Sequence, residues 1–141
     1  MATKTPPILS SDVSPVGGAV TIAQGDNTVA FTNSRLRGNL VITKATDVTG
    51  TFLFDIDCSD NTFDRTGVPA SPANPYRLEG IPTGTVCTVA EQNNPLFASV
   101  SVPSNGTRTI ALGDNTVAFT NTRLRGGLVI TKAADAAGTF L

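Results

Sequence analysis

The amino-acid sequence predicts an all-β fold, a sandwich of about seven strands that occurs in tandem repeat. Three observations support this prediction. Val, Ile, Thr and Phe are frequent, and Gly and Pro interrupt the chain every few residues. No stretch carries apolar residues at helical spacing over three turns. Finally, a domain-sized segment of the sequence begins to repeat before the chain ends.

Alternating apolar and polar residues predict the strands of the complete unit. Short strands separated by turn residues are typical of a sandwich. The clearest turn is Pro103-Ser104-Asn105-Gly106, where Asn-Gly supplies the positive φ of a tight hairpin. Residues 59–75 are polar with three prolines and are predicted to form a long surface loop. The predicted strands are residues 38–46, 51–58, 76–79, 85–91, 97–102, 107–112 and 115–121.

The repeat defines the predicted domain organisation. Residues 25–53 match residues 113–141 at a constant offset of 88 with five mismatches, all between small or polar side chains. We therefore expect a fragment of a longer array of domain-sized units. Residues 1–34 are interpreted as the C-terminal hairpin and last strand of a preceding repeat. Residues 35–123 are the complete repeat, and residues 124–141 are the first strand or strands of a following, truncated repeat.

Charge and hydropathy exclude several classes of partner. The formal net charge is −1, and the basic residues do not cluster. The exceptions are Arg35 with Arg37 and Arg123 with Arg125, which fall at the unit junctions and are expected to solvate a linker. An electrostatic footprint for nucleic acid is therefore missing. No apolar run reaches membrane-spanning length, so no membrane insertion is predicted for this fragment.

The two cysteines predict a covalent cross-link within the unit. Cys58 and Cys87 each continue the apolar face of a predicted strand, so both side chains should point inward. A disulfide that closes a loop of about 30 residues contributes roughly 3 to 4 kcal/mol and implies an oxidising compartment. Two buried free thiols remain the alternative. A zinc site would lack further ligands because the chain has no histidine, and no metal or cofactor is predicted.

Three apolar faces end in residues that are costly to bury. The inward series are Leu40, Ile42 and Lys44 on the first strand, Cys87, Val89 and Glu91 on the central one, and Val117, Phe119 and Asn121 on the last. An isolated ammonium, carboxylate or amide in a core costs several kcal/mol. Lys44, Glu91 and Asn121 must therefore meet one another or reach solvent.

Lys44, Glu91 and Asn121 would form a reactive set if they met. Burial favours the neutral amine of Lys44, which is a nucleophile, and the protonated acid of Glu91. That acid can hydrogen-bond the Asn121 carbonyl, stabilise an oxyanion and pass protons to departing ammonia. The product is an amide between Lys44 and Asn121, and the fold supplies the proximity. The alternative is an ordinary ion pair, with Lys44 reaching the sheet edge and Asn121 capping a turn.

At these residues the chain resembles the collagen-adhesin B-type (CnaB-like) immunoglobulin-like or prealbumin-like domains of Gram-positive and actinobacterial surface proteins, in particular repeats with a cysteine pair. The matching segments are GNLVITK at 38–44, TFLFDIDC at 51–58, LEGIPTGTVCTVAE at 78–91 and VAFTNT at 117–122. The resemblance implies an intramolecular isopeptide bond between Lys44 and Asn121, promoted by Glu91. The insertion at 59–75 and the lack of a sortase-type sorting signal depart from the family pattern.

The sequence therefore predicts a structural module, a stalk or filament repeat of an extracellular, cell-surface adhesin or pilin-like protein. Its predicted partners are neighbouring repeats of the same chain or neighbouring identical subunits. An enzyme is disfavoured because the sequence has no histidine, metal cluster, phosphate-binding glycine loop or nucleophile elbow. A ligand-binding module that uses residues 59–75 is one alternative. In another, the partial repeats, which carry Asn33 and Lys132, complement neighbouring chains by strand pairing.

Overall fold

The computed structural model describes residues 9–139 and 141. These residues form ten strands and one 3₁₀ helix, and the segment contains no helix long and apolar enough to cross a membrane. The strands are β1 (Leu9–Ser14), β2 (Ala30–Arg35), β3 (Arg37–Thr46), β4 (Phe52–Cys58), β5 (Arg65–Ala70), β6 (Tyr76–Pro82), β7 (Val86–Glu91), β8 (Phe97–Val102), β9 (Thr107–Thr109) and β10 (Gly113–Arg123), and the 3₁₀ helix is Asn61–Phe63.

Strands β3 to β10 form two four-stranded sheets that pack face to face. One sheet has the order β6-β3-β10-β8 and the other the order β5-β4-β7-β9. The predicted all-β sandwich is therefore confirmed. At the centre of the first sheet β3 and β10 pair in parallel, with Gly38 opposite Gly113 and Lys44 opposite Phe119. The first and last strands of the unit thus lie side by side, although more than sixty residues separate them in the chain.

The core forms where the alternating apolar faces of the two sheets meet. The three inward series predicted from the sequence are confirmed, since Leu40, Ile42, Cys87 and Val117 are fully buried. Two aromatic contacts join the sheets at one end of this core, Phe54 with Phe119 and Phe52 with Phe97. The remaining buried apolar residues are Ile56, Cys58, Val68, Ala70, Leu78, Ile81, Val89 and Ile110.

All seven predicted strands are present, with shifted ends. The largest differences are β9, which ends at Thr109 rather than at residue 112, and β6, which runs on to Pro82. The predicted turn is present, because Gly106 has a φ of +66° and its N–H donates to the carbonyl of Pro103. The predicted hairpin is wrong, because this turn carries the chain from one sheet to the other and β8 pairs with β10 instead of β9. A Cβ at Gly106 would lie 2.2 Å from the Val89 carbonyl oxygen, so only glycine fits there.

The prediction of a long surface loop at residues 59–75 is wrong for most of that segment. After the 3₁₀ helix, β5 pairs antiparallel with β4 and buries Val68 and Ala70. Pro69 is compatible with this position because β5 is an edge strand, where a missing N–H breaks no internal ladder. The candidate binding loop is therefore largely part of the sandwich.

The antiparallel pair formed by β1 and β2, called hairpin β1–β2 below, reproduces the antiparallel pair of β8 and β10 in the sandwich. Its register pairs Ser14 with Ala30, as β8 and β10 pair Val102 with Ala118 at the offset of 88. The turn that leads into the last strand is also duplicated: the side chain of Asn27 closes the first copy and that of Asn115 closes the second, through the same backbone groups. The same sequence thus adopts the same local structure twice.

Residues 124–139 contain no strand. Their first part matches β3 in sequence, but β3 lies between β6 and β10, whereas residues 124–139 pair with no strand among the described residues. A strand without a neighbour exposes its backbone donors and acceptors to water and gains no packing, which accounts for the absence of a strand in residues 124–139. The assignment of residues 124–141 to a following repeat therefore stays a prediction.

The expectation that the junction arginines solvate a linker is wrong at the first junction. Only Leu36 separates β2 from β3. Arg35 Nη2 donates to the carbonyl of Thr83 at 2.9 Å, and Arg37 Nη1 donates to that of Gly80 at 2.6 Å. Because Gly80 and Thr83 lie where β6 ends and turns into β7, both arginines bind the edge of the sandwich, although their side chains lie on its surface.

Candidate functional site

Lys44 lies near the C-terminal end of β3, and its side chain is fully buried. Strand alternation places it there, because it continues the inward face of Leu40 and Ile42. Its Nζ lies 2.9 and 3.0 Å from the two carboxylate oxygens of Glu91. The ammonium also sits over the ring of Phe52, 4.3 Å from its centroid, so aromatic surface replaces water around the charge.

Glu91 is the last residue of β7, in the opposite sheet, and its side chain is 7% exposed. Besides Lys44 it accepts two hydrogen bonds. Asn121 Nδ2 donates to Oε1, and Ser99 Oγ donates to Oε2 at 2.7 Å. One carboxylate therefore connects β3, β8 and β10 of the first sheet to β7 of the second.

Asn121 lies on β10, two residues beyond the position that pairs with Lys44. On adjacent strands such a diagonal pair faces the same side, within reach of a long side chain. Asn121 is 2% exposed, and its Oδ1 has no hydrogen-bond partner among the described residues. Burying an acceptor without a partner destabilises the folded state by about 1–3 kcal/mol. Its amide therefore has one satisfied end, directed at Glu91, and one unsatisfied end.

Desolvation makes the charged form of Lys44 less stable than it is in water. Burial lowers the pKa of Lys44 below its usual 10.5, because desolvation penalises the ammonium more than the hydrogen bond and charge of Glu91 stabilise it. A neutral amine is a nucleophile, and the nearest base that can take its proton is the Glu91 carboxylate. The site can therefore exchange one proton between two side chains without bringing a net charge into the core.

A cleft of about 490 Å³ opens beside Glu91 and Asn121. These two residues form part of its wall, together with Phe97, Phe119 and Ser99. Two of the three side chains thus border a space large enough for a small molecule such as ammonia.

The structure brings Lys44, Glu91 and Asn121 into contact, and their roles in bond formation stay a prediction. The predicted disulfide is confirmed, since Cys58 and Cys87 are bonded as a direct cross-strand pair of β4 and β7. Both equivalents in the partial repeats are exposed: Asn33 lies on β2, and Lys132 lies in residues 124–139, which contain no strand.

Sequence reasoning missed Ser99. It lies on β8 directly opposite Asn121 in the antiparallel register, which brings its hydroxyl to the carboxylate. The alternation of Phe97, Ser99 and Ser101 was visible in the sequence and could have placed this side chain on the inward face. Its contact with Glu91 depends on the β8–β10 register, which the sequence pattern does not specify.

Comparison with known proteins relates this fold to one domain family. A family described as Domain of unknown function (DUF5979) matches residues 40–123, which contain all three side chains of the site. No curated protein matches the chain.

Three solved structures are similar. The pilus-presented adhesin Spy0125 (Cpa) shares 21% identity at a TM-score of 0.50, over 62% of this chain and 28% of that one. The major pilin T3.2 of Streptococcus pyogenes shares 14% identity at 0.48, over 86% and 64%. An adhesin of Mobiluncus mulieris shares 17% identity at 0.44, over 71% and 45%. The chain thus spans about a quarter of the adhesin Spy0125, and the likeness is one of fold.

Proposed function

The chain belongs to the DUF5979 family, and we propose that its residues 35–123 form a structural repeat of a stalk or filament on a cell surface, closed by an isopeptide bond between Lys44 and Asn121. The fold likeness to a pilus-presented adhesin supports a surface role. The Cys58–Cys87 disulfide supports an oxidising, extracellular location. Neighbouring repeats or identical subunits are the proposed partners, and a distal domain outside this sequence would bind the ligand.

The observation that carries the proposal is the position of Glu91. Its carboxylate touches both proposed reactants, with Oε1 accepting from Asn121 and both oxygens accepting from Lys44. An ordinary buried ion pair needs only the lysine. The amide adds a group whose carbonyl carbon is an electrophile, and the same carboxylate holds both the amide and the amine.

The reaction would begin with proton transfer from the Lys44 ammonium to Glu91. This leaves a neutral amine, which the desolvation of Lys44 favours, and a protonated acid. The Asn121 amide then rotates by half a turn and presents Oδ1 to the new acid. This rotation gives the unsatisfied Oδ1 a donor, and the hydrogen bond polarises the carbonyl for attack.

Bond formation then follows in balanced steps. Lys44 Nζ attacks Cγ of Asn121 and forms a tetrahedral intermediate whose oxyanion accepts a hydrogen bond from protonated Glu91. Through Glu91, one proton moves from the attacking nitrogen to Nδ2, and the Cγ–Nδ2 bond breaks. Ammonia departs through the cleft, takes the proton that Glu91 held and becomes ammonium. Glu91 ends as the carboxylate it was, and a secondary amide joins β3 to β10.

Intact-mass spectrometry tests the proposal directly. The wild-type chain is expected to weigh one ammonia less than its sequence with the disulfide formed, and fragmentation should recover a branched peptide containing Lys44 and Asn121. Lys44→Ala and Asn121→Ala should each restore the full mass. The matched control is Asn33→Ala, which changes the equivalent asparagine of the partial repeat and should leave the ammonia loss intact. A wild-type mass equal to that of the sequence with its disulfide would refute the bond.

A further inference from the structure

The tripeptide Arg-Leu-Arg occurs at both unit junctions, at residues 35–37 and 123–125. At the first junction it makes contacts with the sandwich that follows it. The Leu36 carbonyl accepts from the Thr83 N–H at 2.9 Å, between the two arginine contacts to Gly80 and Thr83. All these contacts use the side chains of the arginines or the carbonyl of the leucine.

At the second junction the equivalent tripeptide makes contacts with the sandwich that precedes it. The Leu124 N–H donates to the Leu96 carbonyl at 2.9 Å, and the Arg123 N–H donates to the Asp47 carboxylate at 3.1 Å. The guanidinium of Arg125 lies 3.7 Å from the same carboxylate. The main contacts here use backbone N–H groups.

The two sets of contacts are compatible in a single tripeptide. Backward contacts use the N–H groups of its first two residues, and forward contacts use the leucine carbonyl and the guanidinium groups. Only the second arginine uses the same group, its guanidinium, on both sides, and the five donors of that group can serve two acceptors. The leucine behaves accordingly, since Leu36 is half-buried, whereas Leu124, at the start of residues 124–139 without a strand, is 58% exposed.

We propose that the Arg-Leu-Arg tripeptide is a two-sided joint that fixes the orientation of consecutive repeats. Its binding surface on the preceding repeat is Asp47 with the carbonyl of Leu96. Its surface on the following repeat is the β6–β7 turn, through the backbone of Gly80 and Thr83. The partner is another repeat of the same chain, so the inference rests on the proposed tandem organisation. It does not require the isopeptide bond, and the two can fail separately.

The joint has a mechanical consequence. One residue separates the last strand of one unit from the first strand of the next, and that residue is hydrogen-bonded through its carbonyl to the unit ahead. At the second junction the N–H of the equivalent residue, Leu124, is bonded to the unit behind. No flexible linker remains between the repeats, so the array would be a stiff rod in which consecutive repeats keep a fixed relative orientation.

NMR relaxation of the full chain tests the joint with the repeat itself as control. In the wild type, the Thr83 amide should be protected from exchange, and hairpin β1–β2 should share the order parameter of the sandwich, about 0.85. In the double variant R35A/R37A the hairpin should fall below about 0.6. The matched control R123A/R125A changes the equivalent residues at the other junction and should leave the hairpin ordered.

Two outcomes would overturn the joint. One is a hairpin of unchanged order in R35A/R37A. The other is a wild-type hairpin that already moves independently while the Thr83 amide exchanges freely. Since the substituted side chains lie on the surface, the amide shifts of β4 and β7 should not change, and they show that the sandwich is intact. Each variant should still weigh one ammonia less than its own sequence with the disulfide formed, which separates this test from that of the isopeptide bond.

Discussion

Replacing Glu91 by glutamine separates the two roles that this residue can have. Glutamine keeps the shape of the side chain and an acceptor for Lys44, but it has no proton to transfer. If Glu91 only balances the charge of Lys44, Glu91→Gln weakens the fold and leaves the covalent structure as it was. If Glu91 is the proton shuttle, bond formation stalls, and the variant retains the full sequence mass apart from the disulfide.

The expected loss of stability can be estimated from the structure. Lys44 and Asn121 close a loop of about 77 residues, which the disulfide shortens to about 48, and the chain-entropy relation then gives about 4 kcal/mol for the cross-link. Glu91→Gln also removes the counter-charge of a buried ammonium, which is destabilising by up to about 3–5 kcal/mol. The loss of stability from the missing counter-charge is smaller where Lys44 is deprotonated, because a neutral amine needs no counter-charge.

Asn121→Ala is the matched variant, because it prevents the cross-link but keeps the ion pair of Lys44 with Glu91. It should lose about 4 kcal/mol together with roughly 1 kcal/mol for the missing hydrogen bond. Denaturant unfolding followed by circular dichroism measures the free energy of unfolding of both variants. The experiment is done at low temperature, because the two losses of stability in Glu91→Gln together approach the whole stability of a small domain. A folded Glu91→Gln variant that still loses ammonia would refute the shuttle, and equal stability of wild type and Asn121→Ala would refute the cross-link.

Two further predictions concern the same site. In Asn121→Ala, Lys44 is not cross-linked, and burial lowers its pKa below the 10.5 of the unfolded chain. Between the folded and the unfolded pKa the unfolded chain binds more protons, so the free energy of unfolding should rise with pH in that window. The double variant Asn121→Ala with Lys44→Met should show no such rise. Ser99→Ala removes the hydroxyl that holds Glu91, and ammonia loss after refolding should slow without stopping. Ser101→Ala, whose hydroxyl bonds to nearby backbone carbonyls instead, should react at the wild-type rate, and equal rates for the two serine variants would exclude a positioning role for Ser99.

The inward faces could be predicted because strand geometry leaves little choice. Side chains alternate between the two faces of a strand, so Leu40 and Ile42 fix the direction of Lys44, and Val117 and Phe119 fix that of Asn121. The cost of burying polar groups then predicts that they meet. The direction of each side chain can therefore be read from the neighbouring residues of its own strand, and the prediction was correct for Lys44, Glu91 and Asn121.

What the sequence could not supply depends on contacts between distant segments. Strand β5 was missed because Val68 and Ala70 alternate over only three residues, with Pro69 between them, and the strand forms only because β4 offers an edge for it to pair with. The contacts of Arg35 and Arg37 were missed because their acceptors are backbone carbonyls more than forty residues away, which no side-chain pattern marks.

The topology explains why this bond, rather than another, would suit a stalk. Tension on an array enters the unit at Arg37 and leaves it at Arg123, at opposite ends of two neighbouring parallel strands. Such a force shears β3 against β10. A bond from Lys44 to Asn121 spans these two strands, so the tension would pass along β3, across the bond and out through the last residues of β10. The segment between them, including the disulfide, would carry no tension. With rigid joints at its ends, each repeat would transmit force through covalent bonds and junction contacts instead of through its core.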